Sequence, residues 1–177
     1  MSTPPRILVS SCLLGHPVRY HGRAAPFEAG AAILERWRAA GLIVPICPEV
    51  AGGLPTPRPP AEIARAAGGD AVWQQLARVV DDTGADVTAA FLDGARQALA
   101  LAQRHGIRIA VLKEDSPSCG SASIYDGTFT GRKVAGDGVA AAWLRRHGIE
   151  VFSEHTLADA DARLRAIGSI GSIESPR

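Results

Sequence analysis

The chain has 177 residues, 46% of them hydrophobic and 21% charged, with a formal charge of +1. A chain of this length buries a sizeable core without disulfides or a structural metal, and a charge so near zero gives no general field for membrane or nucleic acid, so an anionic partner must be met locally. The apolar stretches fall far short of a membrane span, the start "MSTPPRILVSSC" lacks the regions of a signal peptide, and an odd set of three cysteines argues against a disulfide framework; a cytoplasmic protein is expected.

Residues 6–11, "RILVSS", form an apolar run ending in small polar residues and predict a buried strand. A loop punctuated by Gly15, Pro17, Gly22 and Pro26 follows. In 28–41, Ala32, Ile33, Trp37 and Ala40 recur at helical spacing, and Gly41 is the stop signal. "LIVPI", 42–46, predicts a second strand ending at Cys47. The segment 47–64 holds five of the twelve prolines and predicts an irregular loop.

Residues 71–85 read as a helix running into a short strand, with "DDTG" as a turn. From 88 to 105 a helix is predicted, with Thr88 as N-cap, Phe91, Ala95, Leu99 and Ala102 on one face, and Gly106 after it. "IRIAVL", 107–112, is a third strand. A helix over 137–148 with Asp137 near its cap, a strand over 149–153 and a last helix over 156–167 complete the series. The composition of 168–177 predicts a flexible tail.

Strands alternating with helices imply right-handed crossovers, and hence a Rossmann-like or flavodoxin-like α/β domain over 1–167. Helices cover both faces of a mainly parallel sheet of about four or five strands. Each cysteine then takes on positional meaning. Cys12 directly follows "ILVSS", Cys47 follows "LIVPI", and Cys119 lies seven residues past Leu112 in the loop "KEDSPSCGS". The carboxyl ends of parallel strands share one edge, where ligands bind. The fold therefore gathers three cysteines, spaced 35 and 72 residues apart, at that edge.

Free cysteines often serve as small core hydrophobes, but all three stand in turn-like sequence beside Gly, Pro or Ser. Zinc held with His16, His21 or His155 is an alternative, although the close CxxC pairs of structural zinc are absent. An iron–sulfur cluster suits soft thiolates better, with its usual four cysteines one short. A cluster-carrying module without turnover and a zinc-dependent hydrolase are the competing functions. The H-x-E and P-C-x-x-C signatures of zinc deaminases do not occur.

The segments "ILVSSCLLGHPVRYHG", "VPICPEVAGGLPTPRPPAEI", "VLKEDSPSCG", "IYDGTFTG" and "GDGVAAAWLRRHGIEVFSE" together resemble the thiouracil desulfidase family. The likeness runs in order from about residue 6 to 155 and takes in all three cysteines. It implies a [4Fe-4S] cluster held by Cys12, Cys47 and Cys119, whose remaining iron takes the sulfur of a thiolated pyrimidine. It also places the family's catalytic carboxylate on Glu49 and its catalytic serine on Ser116. Members that act on whole tRNA carry a further domain, so the expected substrate here is a thiolated free base, nucleoside or nucleotide, released as uracil or uridine product with hydrogen sulfide.

Each of these residues also has an ordinary structural role open to it. Glu49 can accept loop amides, and Ser116 can cap the Pro117 turn. Arg58, confined by prolines in "PTPRPP", suits a bidentate clamp on a substrate phosphate or a pair with a loop carboxylate. Arg19 and His16, in the first loop, are further substrate-binding candidates. Lys113 reads as a solvated charge or a ligand contact, and Gly52 and Gly53 as a tight turn without the GK[ST] of a P-loop.

Overall fold

Strand β1 (Ile7–Ser10) is buried along its whole length, as an apolar run must be when helices cover both faces of its sheet. It pairs in parallel with β2 (Ile43–Ile46) on one side and β5 (Ile109–Leu112) on the other, and β5 pairs in parallel with β8 (Glu150–Ser153). The order is β2-β1-β5-β8. This is the flavodoxin-like arrangement, with the strand order reversing between β1 and β5. The computed structural model describes residues 4–173.

Helices α1 (Ala31–Ala39) and α6 (Leu157–Ile173) cover one face, and α4 (Thr88–Arg104) and α5 (Val139–Arg146) the other. Alternate residues of β1 feed the two cores: Ile7 and Val9 pack with Trp37, Leu157 and Leu164, while Leu8 packs with Ala98, Ala110 and Leu144. Cys12 belongs to the first core and Cys119 to the second. Asp161 ties α6 to α1 by accepting from Trp37 Nε1 at 2.8 Å and Arg36 at 2.5 Å. Among the described residues no helix is long and apolar enough to cross a membrane.

Several local expectations give way. The Pro-rich segment is not wholly irregular, since it contains the short helix α2 (Pro48–Ala51) and strand β3 (Ala61–Ile63). The helix running into a strand expected over 71–85 is present as α3 (Gly69–Trp73) and β4 (Val79–Asp81), but β4 pairs antiparallel with β3 outside the main sheet. A second antiparallel pair, β6 (Ser123–Tyr125) and β7 (Lys133–Ala135), follows the Cys119 loop. Thr88 is the first residue of α4 rather than its cap; its Oγ1 accepts from Val79 N at 2.9 Å and fastens the helix to β4. Asp137 does lie near the cap of α5, next to the capping residue Gly138.

The last helix runs six residues past its expected end at 167, so 168–173 are helical, while 174–177 lie outside the described residues. Ile167 packs on the first core, and Gly168 faces Pro5 closely enough that an added Cβ would lie 3.5 Å from its ring. Tertiary contact here outweighs the weak helix propensity of glycine and serine.

Two glycines let the helices reach the cysteine loops. A Cβ on Gly94 of α4 would stand 1.9 Å from Pro48 O, and one on Gly138 would stand 2.5 Å from Ser118 O. Both obstacles are backbone, which cannot rotate away. Gly94→Ala should therefore push α2 off α4 and destabilise the protein by about 1–3 kcal/mol. A lowered urea midpoint at unchanged slope is the check.

Candidate active site

The three strand ends that carry cysteines surround one cavity of about 540 Å³ beside the β1–β5 switch point. Cys12, Cys47 and Cys119 all line it, and all three are free thiols. Cys12 sits in the 3-10 turn Ser11–Leu14, closed by Gly15 at φ +94°. Cys47 immediately precedes α2, its Sγ 4.0 Å from Val18 O. Cys119 is held by the turn that Ser116 closes, and Ser10 at the end of β1 hydrogen-bonds its sulfur.

Burial dominates the thiol electrostatics. It pushes Cys12 up to about 11, with further repulsion from Cys47. Cys47 is raised by burial against partial relief from the Val50 amide. Cys119 is raised by burial and then by Cys47, Glu49 and Cys12. None of the three favours the thiolate unless positive charge joins it. No three His, Cys, Asp or Glu side chains among the described residues converge tightly enough to hold a single metal ion.

Glu49 lies on α2 at the cavity wall, only 14% exposed. Its Oε2 accepts from Arg58 Nε at 2.8 Å and pairs with Nη2 at 2.7 Å. Its Oε1 accepts from Ser116 Oγ at 3.3 Å. That hydroxyl in turn accepts from the amides of Ser118 and Cys119, both at 3.2 Å. Ser116 therefore does both things open to it: it caps its own turn and links that turn to Glu49.

The structure does not leave Arg58 available as a phosphate clamp. Its side chain is 5% exposed, and the guanidinium is spent on Glu49, on Pro55 O and Thr56 Oγ1, both at 3.2 Å, and on Val18 O at 3.0 Å. These contacts engage all three of its guanidinium nitrogens. Of its two sequence readings, the pair with a loop carboxylate is the one present. His16 is exposed and does not line the cavity, so it too falls away as a substrate contact. No histidine lines the cavity, and zinc with His16, His21 or His155 loses its fourth ligand.

Arg19 does line it, and among the described residues its guanidinium has no carboxylate partner; it lies 5.9 Å from the Tyr20 ring centroid. Lys113 also reaches the wall but is neutralised by Glu154 at 2.7 Å.

Sequence reasoning missed the brace of the third loop. Glu114, 7% exposed, accepts from the amides of Ser121, Ala122 and Ser123 at 2.7, 3.0 and 3.1 Å. Burial alone would raise its carboxyl, but the amides of Ala122 and its neighbours and the Ser121 hydroxyl bring it below the usual carboxylate value. A glutamate beside three serines in a loop was the available signal.

The family model described as 2-thiouracil desulfurase matches residues 7–156. The chain belongs to the 2-thiouracil desulfurase family. It is 45% identical over 153 residues to the uncharacterized protein YbbK of Bacillus subtilis (strain 168), across 86% of this chain and 98% of that protein. It is also similar to the solved structure of the [4Fe-4S]-dependent thiouracil desulfidase TudS, with a TM-score of 0.81 and 49% identity over 92% of this chain and 99% of that one. The matched span contains all three cysteines, Glu49, Arg58 and Ser116.

The Arg58–Glu49 pair is buried, so removing one partner strands the other. Arg58→Ala should cost about 3–5 kcal/mol of stability. Adding Glu49→Gln should return part of the loss, because the stranded charge is gone. Urea unfolding of the two single variants and the double variant measures the coupling.

Proposed function

We propose that this protein is a [4Fe-4S]-dependent desulfidase of thiolated uracil compounds, acting by hydrolysis, with Cys12, Cys47 and Cys119 as the cluster ligands. The observation that carries the reading is the convergence of three free thiols on one cavity that also presents Glu49 and Ser116. The donor set fits the group. Thiolates are soft ligands suited to iron and sulfide, and a binding metal removes the protons that burial otherwise retains. A cluster does not require three donors on one atom, since each thiolate takes its own iron. A cavity of about 540 Å³ lies within the range that houses small ligands. Bound there, a cluster with three protein ligands would supply one open iron as a Lewis acid toward a thiocarbonyl sulfur.

The chain's own residues then have definite work. Glu49 takes a proton from water as its oxygen adds to the ring carbon, and returns a proton as the carbon–sulfur bond breaks. Thiocarbonyl and water become carbonyl and hydrogen sulfide, with no net oxidation. Arg58 holds one carboxylate oxygen still, which leaves Oε1 beside Ser116 as the working atom. Ser116 keeps that oxygen in register with the Cys119 loop.

The test is anaerobic reconstitution with iron and sulfide, followed by sulfide release from a panel of thiolated uracils. Any Cys→Ser change at 12, 47 or 119 should abolish the broad cluster absorption and leave a folded chain. Glu49→Gln should keep the absorption and lose ~10²–10⁴-fold in turnover. An unaltered rate would reduce Glu49 to a loop brace.

With Arg58 committed, Arg19 becomes the candidate for an anionic substrate. Arg19→Ala should raise KM for a thiolated uridine monophosphate by about tenfold or more, as expected for a lost charge-assisted contact. KM for the free base should scarcely change. Steady-state assays on the two substrates separate these outcomes, and equal effects would remove Arg19 from phosphate binding.

A further inference from the structure

The cavity has a wall that this chemistry leaves unexplained. Both tyrosines of the chain, Tyr20 and Tyr125, line it together with Phe129. Phe129 differs from an ordinary core aromatic in two respects. It is 37% exposed, and its backbone lies in the left-handed region at φ +58°. A bulky residue held there costs on the order of 1–3 kcal/mol, and such residues persist only where their surroundings over-determine them. A phenylalanine kept for packing would be buried in relaxed backbone.

The surroundings of Phe129 do over-determine it. The turn between β6 and β7 is closed by Asp126, whose amide donates to Arg132 O at 3.0 Å and whose Oδ1 accepts from Thr128 N at 3.0 Å. From β3, the carboxylate of Glu62, 7% exposed, reaches across and accepts from Gly127 N at 2.8 Å and Phe129 N at 3.1 Å. Gly127, at φ +90°, lies so close to β3 that a Cβ would stand 2.6 Å from Ile63 O. A buried carboxylate and a close backbone approach thus mount an exposed aromatic ring at the cavity wall.

We propose that Phe129 is a specificity-determining residue whose ring covers the flat face of the substrate's heteroaromatic ring. The proposal rests on reading the cavity as the desulfurisation site and adds how that site selects its substrate class. A planar pyrimidine offers a π-face to Phe129; an acyclic thiourea or thioamide offers the same sulfur and no ring.

The experiment compares reconstituted wild-type and Phe129→Ala enzyme on 2-thiouracil, 4-thiouracil and thiourea. Phe129→Ala should raise KM for the two thiouracils by roughly 10- to 100-fold, the range of a lost base–aromatic stack. The change in kcat should be smaller, cluster absorption unaltered, and any turnover of thiourea the same in both proteins. Phe129→Tyr should retain wild-type behaviour. A wild-type KM in the alanine variant would overturn the proposal, as would a tyrosine variant that behaves like alanine. If wild-type enzyme released no sulfide from any thiouracil, the activity reading would fail instead. Calorimetric titration of 2-thiouracil into both proteins would then decide the ring contact, with equal affinities refuting it.

Discussion

The candidate site hangs on one guanidinium. Arg58 bonds Glu49 on the second loop, Val18 O on the first, and the carbonyl and hydroxyl of its own Pro-rich segment. Its own amide donates to Tyr20 O at 2.8 Å, a second stitch to the first loop. Through Glu49 and Ser116 the chain of bonds continues to the amide of Cys119. The loops bearing the three cysteines are therefore fastened by a polar network as well as by the cores below them. A planar fork with five donors can serve so many acceptors at once, whereas a lysine's three donors on a flexible stem could not reproduce the geometry.

The network matters because the cores pull the cysteines apart. Cys12 caps the core under α1 and α6, and Cys119 caps the core under α4 and α5, on opposite faces of the sheet. Only at the strand ends, where the loops leaving the paired strands β1 and β5 turn toward opposite faces of the sheet, can both thiols face the same space. Ser10 stands at that point, accepting from Lys113 N at 2.9 Å and bonding the Cys119 sulfur. The two ends of the central strands are locked in register before any ligand arrives.

How much of this was legible in the sequence follows from the range of the forces involved. The three strands that lead to the cysteines, β1, β2 and β5, are short runs of mainly apolar residues, so composition revealed them, and the strand-end position of each cysteine came with them. The strands of the two small antiparallel pairs are three residues long and carry charged or exposed positions such as Glu62 and Lys133. No periodicity can be read over so short a span. Ser116 could be placed near Cys119 but not tied to Glu49, which lies 67 positions away. For Arg58 the prolines indicated a rigid mount yet not its direction, because its contact with Val18 O, 40 positions away, exists only once the loops fold back.

That outcome changes how charge is distributed in the site. A clamp reading of Arg58 would leave Glu49 facing three thiols with no counter-charge in a buried wall. The observed pair neutralises Glu49 on the cavity wall itself, through a side chain 5% exposed. Lys113 is similarly neutralised by Glu154 behind the wall. Among the described residues, Arg19 is then the lining cation without a carboxylate partner, and it stands close enough to Cys12 to favour its thiolate. Glu62 and Asp82 line the same cavity, neither of them ion-paired among the described residues, so Arg19 is a local positive point in a wall of mixed charge. The fold thus commits Arg58 to fixing the carboxylate and leaves Arg19 on the cavity wall without a carboxylate of its own, a division that one arginine could not make.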